Sequence, residues 1–404
     1  MITKHLARSR RLLLTTSLLT LAILLITPAS ALACGGFFSS ATSGKVSQDT
    51  ERLLITINHN STTLYEQIRY QGNARDFAWV LPVPAVPKVE TAAQEIFNQL
   101  EYYTAPRFFI PAPQNCNHAD ITHMLFGNNY ATGGAPTSSN PGVNVYAGGE
   151  TGPFAYEIIK SGDAQALTSW LQNHKYTVPA NTTNLIQPYV RSNMFFLAMR
   201  LRPGTNVSNV APVKITFPMV MQQVTVPIRL AATDIQHKMK MEVSILAQQR
   251  YTLKNYTEVT VPADKVSANP SPQESYAQLM DTAIQKVGGY AYVTQYAQAQ
   301  NMSGLLRSLK ESPDTTYNLT RFYTSYTPEH MQKDPVFVPQ ANLPAKQTYI
   351  RVNDTSPGPD CTTTYIKSAV LLAVFPIGPI IILTAIGIWY WRKHKARTQK
   401  NANK

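Results

Sequence analysis

The sequence predicts an α+β fold, mainly antiparallel β-sheets with a few packed amphipathic helices, plus one C-terminal transmembrane helix. Short segments rich in β-branched and aromatic residues recur between polar breaks over most of the chain, which is typical of strands. A few other windows repeat apolar residues at helical spacing behind capping residues. The run 368–391 contains 24 residues and no charge, and at about 1.5 Å per residue it is long enough to cross a bilayer core of about 30 Å.

The first predicted strands are ERLLITIN from Glu51, TTLYEQIRYQG from Thr62 and DFAWVLPVP from Asp76. They alternate or cluster apolar residues between polar breaks, as expected of a small antiparallel meander. A helix should follow, with Thr91 as its N-cap and Pro106 as its stop. Its apolar face would contain Ala93, Ile96, Phe97 and Leu100.

The segment 111–142 is rich in Asn, Gly, Ser and Pro, and we interpret it as a loop insertion. Strands are expected again over 143–149 and 154–162. Asp163 is then placed to cap a helix whose apolar stripe contains Leu167 and Leu171, with Trp170 beside it.

The last part of this region is a second β-rich block followed by the clearest helix signal in the chain. The block covers 192–204, 209–233 and 241–261. Ser271, Pro272 and Glu274 form a capping box with Pro at the first helical position, and Gly288 closes the helix. Apolar residues at such spacing favour core packing over a cofactor site.

Both ends of the chain carry targeting signals. Residues 1–33 combine basic residues, an apolar run and the site Ala31-Leu32-Ala33, typical of a cleaved signal peptide; an uncleaved signal anchor is the alternative. The basic tail 392–404 follows 368–391, and the positive-inside rule places it in the cytoplasm. We therefore expect a single-pass plasma-membrane protein with an extracytoplasmic N-terminal bulk, in which 368–391 contacts the lipid bilayer.

Between these ends, 34–352 is predicted to be an extracytoplasmic β-rich region. It divides into subdomains 34–110 and 143–352 around the loop insertion, and 353–367 is a stalk before the membrane. The formal net charge is +13, but ten of these positive charges lie in the signal and the tail, which leaves +3 for the rest. Most of the excess positive charge therefore serves to orient the chain in the membrane, and it does not indicate a nucleic-acid partner.

Five motifs occur in order along the chain: CGGFF at Cys34, FAWVLPVP at Phe77, SGDAQALTSWLQNHKYTVP at Ser161, GGYAYVTQYA at Gly288 and LTRFYTSYTPEHMQKDPVF at Leu319. Together they resemble the bacterial domain-of-unknown-function family numbered 2330, over about 34–337. The resemblance implies an exported bacterial protein. It implies no catalytic residue, because the family has no established activity.

The three cysteines, Cys34, Cys116 and Cys361, would all lie outside the membrane, where disulfides persist. Their odd number leaves one unpaired and allows three pairings. We favour Cys34 with Cys116, because Cys361 lies on the stalk. Lipidation of Cys34 is the competing use, although Ala31 stands where a lipobox usually has leucine.

The loop CNHADITH is the densest group of metal-ligand residues, with Cys116, His118, Asp120 and His123. Thiolate, imidazole and carboxylate at this spacing could hold zinc, and an open coordination position would make the site catalytic. The alternative is a polar loop with a disulfide cysteine, and pairing Cys116 would remove the thiolate that a metal needs.

Two functions remain after the other motifs are considered. The chain has no G-x-S-x-G elbow, no H-E-x-x-H helix and no complete phosphate loop. The leading interpretation is a non-enzymatic protein without a cofactor that binds an unknown extracytoplasmic ligand or protein, or has a structural role, at the cell envelope. The alternative is a metal-dependent extracytoplasmic hydrolase that uses zinc in the loop Cys116 to His123.

Overall fold

Two large β-sheets with helices on their outer faces form the body of the protein. They are seen in a computed structural model that describes residues 35–39, 47–71, 77–110, 143–202, 211–235, 238–300, 303–309, 317–352, 388–389 and 391–393. In chain order the strands are β1 (Gly36–Ser39), β2 (Ser47–Ile57), β3 (Thr62–Gln71), β4 (Phe77–Val83), β5 (Lys88–Thr91), β6 (Arg107–Phe109), β7 (Asn144–Thr151), β8 (Phe154–Lys160), β9 (Phe195–Leu201), β10 (Val213–Phe217), β11 (Val224–Thr225), β12 (Met239–Ala247), β13 (Tyr251–Leu253), β14 (Thr257–Glu258), β15 (Ala291–Gln300), β16 (Tyr317–Tyr326), β17 (Val336–Pro339), β18 (Lys346–Gln347) and β19 (Tyr349–Arg351). The α-helices are α1 (Glu95–Thr104), α2 (Ala164–Asn173), α3 (Thr182–Arg191), α4 (Pro272–Lys286) and α5 (Ser303–Leu309).

The smaller of the two large sheets has five antiparallel strands in the order β1-β4-β9-β8-β7. The larger has nine strands, in the order β14-β15-β16-β12-β2-β3-β10-β5, with β18 also paired to β15. Most of its pairs are antiparallel, but β2 with β12 and β14 with β15 are parallel. The described residues are thus mainly β-sheet with several helices, as the β-rich part of the predicted fold class requires.

Two smaller sheets complete the fold. Strands β11, β17 and β13 form an antiparallel three-stranded sheet. Strands β19 and β6 form a parallel pair, in which Ile350 is opposite Phe108. Strands from both sides of 111–142 contribute to each of the two large sheets.

The main core lies between the two large sheets. It contains inward residues of the larger sheet, such as Leu53 and Val243, and inward residues of the smaller sheet, such as Trp79 and Leu197. These residues alternate with others that face outward, as the period of two along a strand requires. The two sheets therefore pack face to face as a sandwich.

Helices cover the outer faces of this sandwich. On the five-stranded sheet, α2 and α3 pack over residues such as Phe196 and Val80. On the nine-stranded sheet, α1 and α5 share a cluster with Leu54 and Leu246, while α4 packs on Val293 and against the β6/β19 pair. The arrangement is four layers, helix, sheet, sheet and helix.

The helix starts test the capping predictions individually. The side chain of Asp163 accepts hydrogen bonds from the backbone N–H groups of Gln165 and Ala166 at 3.1 Å, which confirms it as the cap of α2. Ser271 accepts from the Glu274 N–H at 3.2 Å, which confirms the start of α4. The cap predicted at Thr91 is wrong: Thr91 ends β5 and α1 begins at Glu95.

The predicted transmembrane helix over 368–391 needs correction. No helix within the described part of the chain is both long enough and apolar enough to span a membrane. The transmembrane part of the fold class and the single-pass plasma-membrane location are therefore not supported and are withdrawn. Most of 368–391 lies outside the described residues, as do the signal peptide 1–33, the loop 111–142 and the stalk 353–367.

Candidate functional site

A groove of about 340 Å³ lies on the outer face of the five-stranded sheet, beside the end of α2. Arg200 is opposite both Ala78 and Ala155, and Glu157 is opposite both Gly148 and Ala198. Residues directly opposite each other in a sheet share a face, so these side chains point to the same side. The floor is therefore made of small residues, one on each of four neighbouring strands: Ala78 on β4, Gly148 on β7, Ala155 on β8 and Ala198 on β9.

The wall of the groove comes from the C-terminal end of α2. Trp170 and His174 are four residues apart and so fall on one side of the helix; their ring centroids are 4.0 Å apart. The chain turns at Lys175, which has a φ of 66°, and Tyr176 then joins the same wall. A helix C-terminus carries partial negative charge, so this wall favours a positively charged group.

The tautomer of His174 follows from its contact with the helix. Its Nδ1 lies 2.8 Å from the Trp170 carbonyl oxygen. A carbonyl only accepts, so Nδ1 must donate, and in the neutral ring Nε2 is left as an acceptor. The wall thus contains aromatic rings and, at Nε2 of the neutral His174 ring, one acceptor.

Three charged residues line the groove: Glu150, Glu157 and Arg200. Glu150 forms a salt bridge of 3.2 Å with Arg202. The Oε2 atom of Glu157 is buried and has no hydrogen-bond partner within the described residues. An oxygen of this kind costs about 1–3 kcal/mol unless a donor satisfies it, so it is a candidate acceptor for a donor group of a ligand.

A second polar cluster lies in the interior, where strands β2 and β3 face the main core. Glu51 and Glu66 are 0% and 1% exposed and lie diagonally across β2 and β3 on the face toward the main core. Burial, together with the nearby charge of Glu51, raises the pKa of Glu66 well above its usual value. Burial also raises the pKa of Asp234, although the backbone N–H groups of Phe37 and Gln48 oppose the effect. These carboxyl groups are enclosed by the protein. They therefore affect the stability of the folded state and cannot contact a substrate.

A third cluster ties α1 to the outer face of the nine-stranded sheet. Arg321 contacts Glu101 and Glu242, each at 2.9 Å, and Arg52 contacts the same two carboxylates at 2.7 and 3.1 Å. Burial raises the pKa of Glu242, but the two guanidinium groups outweigh it and the net pKa is lowered. Each of the four charges is paired with two of opposite sign, which is typical of a structural network.

Sequence comparison identifies the family. The family described as "Uncharacterized protein conserved in bacteria (DUF2330)" matches residues 28–338, more than half of the chain. This chain is a member of the DUF2330 family. The match confirms the resemblance found from the five motifs, and no curated protein matches the chain.

Solved structures resemble the DUF2330 chain only weakly. The crystal structure of baculovirus P35 has a TM-score of 0.31 and 9% identity, over 74% of this chain and 98% of that chain. The caspase-8/P35 complex gives a TM-score of 0.32 and 7% identity, over 72% and 96%. Both TM-scores are below 0.5, and likenesses of this size assign neither fold nor function.

The site residues predicted from the sequence of the DUF2330 chain fall elsewhere. The proposed zinc ligands Cys116, His118, Asp120 and His123 lie outside the described residues, and so do Cys34 and Cys361. Where the chain is described, no group of three or more His, Cys, Asp or Glu residues could hold a metal. The zinc site and the disulfide between Cys34 and Cys116 remain predictions.

The sequence contains weak signals for the groove. Trp170 stands beside the apolar stripe of α2, and His174 follows at the next turn of the same motif. Glu157 and the small floor residues can be recognised as one groove only from the strand order, which places β9 between β4 and β8. No local pattern specifies that order.

Proposed function

We propose that this DUF2330 protein is a binding protein, and that its groove takes a small ligand with a protonated amine and an apolar body. The single observation that carries the proposal is the buried, unpartnered Oε2 of Glu157 in the floor of the groove. It needs a donor, and an ammonium group offers three.

The surroundings of Glu157 favour a cation over a neutral donor. The ring of Tyr176, which lines the groove, suits a cation–π contact. The C-terminus of α2 adds partial negative charge at the same place. Arg202 already engages Glu150 at 3.2 Å, so Glu157 is the groove carboxylate that a ligand would meet, with the Arg200 side chain on the same face as the nearest competing cation.

The size of the groove limits the ligand. Pockets for small molecules have volumes of about 300–1,000 Å³, and this groove, at about 340 Å³, is at the lower end. It fits one small amine or the end of one lysine-like side chain.

Isothermal titration of the full-length chain tests the proposal with two probes of similar size and opposite charge, phenethylamine and 3-phenylpropanoate. We expect binding of the amine only. Glu157→Gln keeps the shape and removes the charge, so it should weaken amine binding by about tenfold or more. Glu95→Gln, at an exposed residue of α1, is the matched control and should leave binding unchanged.

Ala198→Leu separates the groove from other amine sites, because the larger side chain would occupy the floor. Loss of amine binding in this variant supports the groove. Equal binding of both probes, or amine binding that survives both substitutions, refutes the proposal and favours a structural role. The metal-dependent hydrolase remains an untested prediction, since its residues are not among those described.

A further inference from the structure

The parallel pair β6/β19 has one outer face that combines aromatic and arginine side chains. Tyr349 is opposite Arg107, and Arg351 is opposite Phe109. The four side chains therefore alternate like a checkerboard, with spacings of about 4.8 Å across the strands and about 6.6 Å along them. Phe109 and Tyr349 are 65% and 67% exposed. We call these four residues the β6/β19 face.

The opposite side of the same pair holds it firmly in place. Ile350 is buried in the cluster under α4, and the Phe108 ring meets the Tyr276 ring edge-on at 5.8 Å. The strands therefore present the outer residues from a fixed support. Tyr102 extends the surface at 71% exposure, with the Arg107 guanidinium 6.0 Å from its ring centroid.

The positive charges of this face are not balanced locally. Arg107 donates to the Tyr102 carbonyl oxygen at 3.3 Å, but neither Arg107 nor Arg351 forms a salt bridge with any residue that the structure describes. Two exposed guanidinium groups between exposed aromatic rings suit a partner with carboxylates and apolar side chains.

We propose that the β6/β19 face docks an extended acidic segment of a protein partner. An extended peptide suits this place because β6 and β19 form a sheet of only two strands. Each strand then has an edge that pairs with no other described strand, and an extended segment at such an edge would bring the side chains of alternate residues to the arginines and rings. The site is separate from the groove and does not depend on the amine ligand.

Fluorescence anisotropy with the full-length chain tests this proposal. The probe is a labelled octapeptide of alternating Glu and Val, and its control is the same peptide with Lys in place of Glu. We expect the acidic peptide to bind, more weakly at high salt, and the basic peptide not to bind. Arg351→Glu should weaken binding by about tenfold or more, because attraction becomes repulsion.

The control substitution and the test substitutions are all made at exposed residues. Arg191→Glu reverses an exposed arginine at the end of α3, away from β6/β19, and should keep wild-type binding. Phe109→Ala removes an exposed ring without opening the core, and should weaken binding several-fold while the melting temperature stays unchanged. Failure of the acidic peptide to bind the wild type, or equal loss in Arg191→Glu, would overturn the proposal. So would salt-sensitive self-association that Arg351→Glu abolishes, since the occupant would then be a second copy of this chain.

Discussion

Replacing Glu66 by glutamine should change how the stability of this protein depends on pH. Glu66 lies within the main core, opposite Leu53 on β2 and Val213 on β10. Because burial and Glu51 raise its folded pKa, the folded state keeps a proton that the unfolded state releases above its own pKa of about 4.3. The free energy of unfolding is then highest below that pH and falls as pH rises toward the folded pKa.

The expected size follows from the proton count. One retained proton lowers the free energy of unfolding by about 1.4 kcal/mol for each pH unit in this range. Burial and the charge of Glu51 raise the folded pKa of Glu66 well above its usual value, so this range lies above the unfolded pKa. As the pH rises from 5 toward the folded pKa, Glu66→Gln should therefore gain up to about 1.4 kcal/mol per pH unit relative to the wild type, because glutamine stays neutral and keeps a similar shape.

Urea unfolding at pH 5, 6 and 7, followed by tryptophan fluorescence, measures the difference. The midpoints of the two proteins should separate progressively as pH rises, with similar dependence on urea. Glu95→Gln, on the surface of α1, should follow the wild type at all three values. If Glu66→Gln is destabilised equally at every pH, Glu66 is not the group that holds the proton and the reasoning fails.

Two further substitutions test the packing of the fold. Arg321→Ala leaves Glu242 buried with only one guanidinium partner and should lower the free energy of unfolding by about 3–5 kcal/mol. Replacing both Arg321 and Glu242 by methionine should cost clearly less. Urea midpoints measure the difference, and a double variant that loses the sum of the two single losses would contradict the network. Gly36→Ala would place a Cβ 2.6 Å from the Leu230 carbonyl oxygen, so about 1–3 kcal/mol should be lost. Gly162→Ala meets nothing within 4 Å, and its thermal melt should match the wild type; a similar melt for Gly36→Ala would show that β1 can move aside.

The sequence predicted those strands and helices whose signals lie within a few neighbouring residues. Alternation predicted β2, β3 and β4, and capping predicted α2 and α4, where the Asp163 and Ser271 side chains accept the expected bonds. The prediction failed at α1, because Thr91 is needed by β5, where it lies opposite Val213. A competing strand thus removed a residue that the helix pattern had assigned as a cap.

Long-range pairing explains most of what was not predicted. The parallel register of Arg52 with Glu242 joins strands from distant parts of the chain, and no pattern within either strand specifies it. Glu51 and Glu66 occupy positions on β2 and β3 that alternation assigns to the core face, yet both are polar. An acidic residue at a position that the pattern assigns to the core is a signal for a buried carboxyl group. That the two acids lie close together is seen only once the pairing of β2 with β3 is known.

Gly35 and Gly36 of the CGGFF motif link the groove to the buried carboxyl group of Asp234. In β1, Phe37 packs in the main core and Phe38 in the cluster under α2 and α3, so one short strand places a ring in each of two layers. A Cβ on Gly35 would lie 2.7 Å from the Val80 carbonyl oxygen, and one on Gly36 would contact Leu230. The strand can therefore approach β4 and the segment before Asp234 closely only because both residues lack a side chain. Phe38 is also opposite Ala78 in the groove floor. The same close approach of β1 therefore positions the edge of the groove and places the Phe37 backbone where it opposes the rise in the Asp234 pKa that burial causes.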